Sequence, residues 1–133
     1  MQRIVDSVLI EEMLRKAEAS PRRRAHMNFH ESLEEPIHRL LIGAMPDTVF
    51  PIHRHRDKFE LLTVLSGKVE VLFYEPDGTV SCRRMLGPEC DCRAVEIPPG
   101  VFHCDLVREP SVMMEVKPGP YVPVSPEDTL TLK

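Results

Sequence analysis

The sequence predicts an all-β domain, a sandwich or barrel of about eight short strands, preceded by one α-helix. Three observations predict it. Met27 to His30 alternates apolar and polar residues with period two, and from Ile37 to Lys117 short apolar-rich runs follow one another with no helical pattern between them. Turn signals recur between those segments as all-β folds require, among them Pro46-Asp47, Ser66-Gly67, Pro76-Asp77-Gly78, Gly87-Pro88-Glu89 and Pro118-Gly119-Pro120. A helical period occurs only near the start. The thirteen prolines suit short strands and tight corners.

A chain of 133 residues fits one domain with a core of its own. We read it as a helix over about 7–19, a β-barrel over about 25–118 and an irregular tail over 119–133. No stretch approaches the roughly 18–20 apolar residues that cross a bilayer, and the start has an acid at Asp6 and no sustained apolar run. The expectation is a cytoplasmic protein without a membrane or signal segment. A net charge of −4 argues against a nucleic-acid partner held by phosphate neutralisation. The basic run Arg22-Arg23-Arg24 reads as a solvated loop.

Val8, Leu9, Met13, Leu14 and Ala17 recur at helical spacing with charged residues between them. Asp6 or Ser7 can cap the start, and Ser20-Pro21 ends the helix, because a residue before proline avoids the α region. Next, Met27 and Phe29 alternate with His26, Asn28 and His30, which predicts a short strand with a polar face. His38 to Met45 is the next strand, with His38 expected to be structural. Phe59 to Leu65 and Lys68 to Glu75 read as two strands joined by a hairpin at Ser66-Gly67. Thr79 to Leu86, Arg93 to Ile97, His103 to Arg108 and Ser111 to Lys117 complete the set. Apolar residues on both faces of Phe59 to Leu65 predict a homodimer. Cys82, Cys90, Cys92 and Cys104 read as free thiols; Cys90-Asp91-Cys92 lacks the second pair a zinc site would need.

The chemistry concentrates between His53 and Glu60. His53 and His55 are two apart, so an extended chain points both imidazoles to one face. Glu60 follows after a stretch long enough to bend back, and His103 comes later within Pro98-Pro99-Gly100-Val101-Phe102-His103. Three imidazoles and a carboxylate suit Fe, Mn, Ni, Co or Zn and leave coordination positions open for a ligand. His26 and His30 are candidate acid/base groups, and Asn28, Lys58 and Lys117 candidate substrate contacts.

Pro51 to Gly67 resembles the first cupin motif, G-x5-H-x-H-x(3,4)-E-x6-G, and Pro98 to His103 resembles the second, P-x-G-x2-H. The resemblance implies a cupin jelly-roll barrel with His53, His55, Glu60 and His103 as ligands of one divalent transition metal. Asp47 stands where the first motif opens with glycine. Cys92 and Val107 stand where the second has glycine and asparagine. None of these is a ligand position. The segments Ser20 to His30, His53 to Glu60 and Glu115-Val116-Lys117-Pro118-Gly119-Pro120-Tyr121 resemble the WbuC family of cupin-fold metalloproteins. That resemblance implies a bacterial protein of surface-polysaccharide (O-antigen) biosynthesis, acting on a sugar or sugar derivative. Isomerisation or epimerisation fits that association. The alternatives are a non-catalytic sugar-binding or regulatory module, an iron-dependent oxygenase of a small molecule, and a metal-free epimerase, for which Tyr74 and Tyr121 are the only tyrosines.

Overall fold

The computed structural model describes residues 2–132. Helix α1 spans Ser7–Ala19. Eight strands follow among the described residues: β1 Arg24–Asn28, β2 Ile37–Ala44, β3 Ile52–His53, β4 Glu60–Tyr74, β5 Val80–Leu86, β6 Ala94–Ile97, β7 Phe102–Pro118 and β8 Thr129–Leu130.

The helix begins and ends where its caps dictate. Asp6 accepts a hydrogen bond from the Leu9 backbone N–H at 3.0 Å, and Ser20, with extended backbone, closes the last turn. Met13 and Ala17 are buried. They lie against Leu41 and Val112 on the outer face of the β2–β7 sheet, with Met27, Phe29, Leu65 and Met114 around them. The approach is close: a Cβ at Gly43 would sit 2.6 Å from the Met13 carbonyl oxygen.

Two long strands organise the barrel. The sequence suggested a hairpin at Ser66-Gly67 and separate strands on either side of Glu109-Pro110. Instead, β4 and β7 each run through those points and pair antiparallel with each other over most of their length. The register shifts between Val64 and Val69, and Gly67 takes a φ of +85° there. The bulge bends both strands, so each contributes to two sheets. The first sheet is β1-β2, the second half of β7, the first half of β4, and β6. The second is β8-β3, the first half of β7, the second half of β4, and β5. Serine and glycine serve a bulge as well as they serve a turn, which is why the local sequence suggested a reversal.

Inner faces of both sheets form one core: Leu40, Ile42, Ala44, Leu62, Val64, Val69, Val71, Leu86, Ile97, Val107 and Met113. A fully buried large aliphatic side chain contributes roughly 1.5–3 kcal/mol, and this cluster is what holds the two sheets face to face. The tail expected to be irregular is partly ordered. A 3-10 turn at Pro126–Asp128 leads into β8, which pairs with β3. All four cysteines are free thiols.

Candidate metal centre and its cavity

The core gives way to polar side chains at one end of the barrel. Along β4 the inward series is Glu60, Leu62, Val64; along β7 it is Met113, Glu115, Lys117. The period of two that fills the core therefore also aims these polar groups inward. β3 and β7 set His53 directly opposite His103 in their ladder. Their ring centroids are 4.6 Å apart.

The imidazoles are oriented from behind. His53 Nδ1 lies 3.0 Å from the Pro51 carbonyl oxygen, and His103 Nδ1 lies 3.0 Å from that of Val101. A carbonyl only accepts, so each Nδ1 carries the proton and each Nε2 presents a lone pair. His53 Nε2 is 3.9 Å and His55 Nε2 is 2.5 Å from Glu60 Oε1, and His103 Nε2 is 3.5 Å from Glu60 Oε2. His55 Nε2, Glu60 Oε1 and His103 Nε2 are buried without a hydrogen-bond partner. Buried polar atoms left this way are costly unless something else satisfies them. Ligand atoms of His53, Glu60 and His103 all lie within 4.8 Å of one another. In the neutral tautomer the Nε2 lone pairs of His53 and His103 converge with the Glu60 carboxylate, a donor set that fits a cation. His55 falls outside that compact trio and reaches it through Glu60.

The electrostatics follow from this crowding. Burial pushes the His53 imidazole below its ordinary value, and the neighbouring His103 adds to the shift. Burial pushes His103 down as well, but the Glu60 carboxylate outweighs it and His103 titrates above the usual range. Burial opposes ionisation of Glu60, yet contacts with His103 and His55 hold it well below the usual carboxylate range. Glu115 and Asp105 behave oppositely. Burial, followed by the negative charge of Glu60, keeps the Glu115 carboxyl well above its ordinary value, and burial raises Asp105 to about 6.

His53, Glu60, Glu115 and Asp105 face a cavity of about 310 Å³; His103 is not among its lining residues. Of the residues singled out from sequence, His26, His53, His55, Lys58, Glu60 and Lys117 line it. Lys117 Nζ is 3.5 Å from Glu115 Oε2, and Lys58 donates to the Pro120 carbonyl. His30 and Asn28 are not among the lining residues. His30 is buried and stacks on His38, centroids 4.1 Å apart, and its Nδ1 accepts from the Arg39 N–H at 3.1 Å. Asn28 is exposed. His38 does line the cavity, with its Nε2 bonded to the Leu33 carbonyl oxygen at 3.0 Å.

Sequence reasoning missed Asp105 and Glu115, and it misplaced the arginine run. Asp105 lies two residues beyond His103 and Glu115 two before Lys117; that spacing was the available signal. The arginines part company. Arg23 takes a φ of 61° and pairs with Asp47 at 3.0 Å, while Arg22 and Arg24 line the cavity. Tyr121, Val122 and Val124 of the tail close one side.

A family model described as a domain of unknown function, DUF6016, matches residues 5–86. The chain belongs to the DUF6016 family. The matched span holds His53, His55 and Glu60 and ends before His103. No curated protein matches the chain. Solved structures do resemble this DUF6016 protein. One is an uncharacterized conserved protein with a double-stranded β-helix domain from Klebsiella pneumoniae, at TM-score 0.64 and 17% identity, covering 94% of this chain and 96% of that one. KdgF from Halomonas sp. aligns at TM-score 0.59 and 17% identity over 75% of this chain and 82% of its own. The capsular polysaccharide assembling protein CapF from Staphylococcus aureus aligns at TM-score 0.62 and 18% identity over 86% of this chain but 33% of CapF. The fold of this chain is thus the double-stranded β-helix, the cupin jelly-roll barrel, with one N-terminal helix. No helix among the described residues is long and apolar enough to cross a membrane.

Proposed function

We propose that this protein is a metal-dependent enzyme of the WbuC type, an isomerase or epimerase of a sugar derivative in bacterial surface-polysaccharide biosynthesis. The observation that carries the reading is the set of buried, unpartnered Nε2 and carboxylate atoms opening onto a polar cavity. His53, His55, Glu60 and His103 are the ligands of one divalent transition metal. Such an ion polarises a ligand carbonyl or hydroxyl and lowers the pKa of bound water.

The chain's own groups supply the rest. Pro51 and Val101 carbonyls keep the ligating histidines in one tautomer. Lys117 and His26 reach the cavity and are the candidates for moving a proton there; His30, stacked on His38 away from it, supports the wall. Phe50, Ile42 and the tail valines give the sugar ring an apolar surface. The structural likeness to a capsular polysaccharide assembling protein agrees with the polysaccharide setting.

Elemental analysis of the purified protein and metal titration are the first test, with about one first-row metal per chain expected. Incubating the loaded protein with nucleotide sugars should then yield an epimer or isomer by NMR. Absence of any bound metal would overturn the reading. Binding without turnover would make the protein a sugar-binding module, and turnover only with iron and O2 would make it an oxygenase.

A further inference from the structure

Glu60, Asp105 and Glu115 line the cavity together with four cations, and Lys117 pairs with Glu115, but Arg22, Arg24 and Lys58 have no ion-pair partner among the described residues. Arg22 lies just before β1, Arg24 opens β1, and Lys58 sits in the loop between β3 and β4. These separate segments bring three cations to one cavity. Other arginines nearby have carboxylate partners: Arg23 has Asp47, and Arg54 and Arg56 share Asp128. No salt bridge reaches Arg22, Arg24 or Lys58 among the described residues, although the chain as a whole carries a net charge of −4.

Two of these groups are held in place without being neutralised. The Arg24 guanidinium donates to the Val49 carbonyl oxygen at 2.7 Å and lies 4.9 Å from the Phe50 ring centroid. These contacts fix the plane of the fork and leave further N–H groups for a ligand. Lys58 is tethered to the Pro120 carbonyl. Burial and then Arg22 push Arg24 below its ordinary value, while burial, Arg24, Arg22 and Lys117 do the same to His26. Arg24 and Lys58 are half-buried without counter-charges, which is unfavourable in the free protein, and an incoming anion would relieve that.

The geometry points to a polar small molecule that carries a carboxylate or phosphate monoester, bound with its anionic end against Arg22, Arg24 and Lys58 and its uncharged end toward the histidine cluster. This rests on the proposed metal site for the role of the inner end; the anion contact stands on the arginines alone. A cavity of about 310 Å³ suits a ligand the size of one sugar ring with one charged substituent. Arginine forks match the paired oxygens of both anions, so the structure selects the shared chemistry.

Calorimetric titration of the metal-loaded protein with glucose, glucuronate and glucose 6-phosphate tests it, since the three share a ring and differ in charge. At least one anion should bind 10-fold or more tighter than glucose, and the preferred anion separates carboxylate from phosphate. Arg22→Gln, an exposed position, and Arg24→Gln should each weaken that binding by about 10-fold with metal content and Tm retained. Lys58→Gln offers a third variant should Arg24→Gln not fold. Equal binding of glucose, unchanged anion affinity in folded variants, or no anion binding at millimolar concentration would each overturn the inference. Metal titration separates the two readings. Protein that holds metal but no anion refutes the anion site alone. Protein that takes up no metal yet binds an anion through Arg22 and Arg24 upholds it and refutes the metal site.

Discussion

His103 lies opposite His53 in the β3–β7 ladder, and its Nε2 is 3.5 Å from Glu60 Oε2. Proton and metal compete for that nitrogen. Glu60 holds the His103 imidazole above its ordinary value of about 6.5, so its proton is retained to higher pH in the metal-free protein. The pair thus stabilises the metal-free fold below that raised value, and the contribution is lost as pH rises through it. Metal binding has the opposite slope, because it needs the bare nitrogen. Affinity for Zn or Co should rise from pH 6 to pH 8, as read by titration against a competing chelator. His103→Ala should weaken binding by more than the roughly 10–100-fold that loss of an outer-shell partner costs. A flat pH profile would count against His103 as a ligand.

Gly67 marks the point where the two long strands bend together. Its φ of +85° is one that side chains adopt at a cost, and a Cβ there would lie 2.3 Å from both the Pro110 carbonyl oxygen and Ser111 Oγ. Ser111 Oγ also accepts from the Lys68 N–H at 2.9 Å, so the neighbour cannot yield freely. Gly67→Ala should cost at least the roughly 1–3 kcal/mol of a strained backbone position, measured as a lowered urea midpoint. Had Ser66-Gly67 been an exposed hairpin tip, the change would be far milder.

This contrast shows what local sequence can carry. The ends of α1 were legible because the Asp6 cap and the Ser20-Pro21 stop act within a few residues. The histidine pair was legible because period two is a property of any strand. Gly67 was misread because the same dipeptide serves turn and bulge, and the choice is made by Pro110 and Ser111, more than forty residues away. Asp105 and Glu115 went unnoticed for a related reason. Reading His103 to Arg108 and Ser111 to Lys117 as two short strands hides the continuous inward face that β7 runs from His103 to Lys117. Arg22 and Arg24 look like a solvated run until β1 pairs with β2 at the cavity mouth.

The outer sheet face bears on assembly. α1 covers Leu65 and Met114, which removes part of the apolar surface that suggested a homodimer. Ile37 at 54%, Phe59 at 38% and Leu61 at 38% stay exposed. Ile37 lies at the β2 end paired to Pro118, and Leu61 pairs with Val116, so these side chains belong to one end of one sheet. A dimer through this end is expected to appear as a 30 kDa species by light scattering at micromolar protein, and Leu61→Glu should return it to 15 kDa. A wild-type protein already at 15 kDa would refute the expectation.

Asp128 Oδ1 lies 2.9 Å from Arg54 Nε and 2.7 Å from Arg56 Nε, and the Arg54 N–H donates to the Asp128 carbonyl oxygen at 2.9 Å. Arg54 and Arg56 alternate in sequence with His53 and His55, so one carboxylate grips the segment, β3 and the loop after it, that carries both histidines. The two guanidinia hold the Asp128 carboxyl down at about 2. A depressed carboxylate stabilises the fold above its unfolded value near 4, and that contribution fades as pH falls through about 2. Acidification across this window should therefore loosen β8 before the barrel core, seen as early hydrogen exchange at Thr129 and Leu130. Asp128→Asn should produce the same loosening at neutral pH. It should also weaken metal binding several-fold through a less constrained His53, while Glu127→Gln, one residue away, leaves both unchanged. Equal metal affinity in Asp128→Asn and wild type would show that the tail closes the cavity without positioning the histidines.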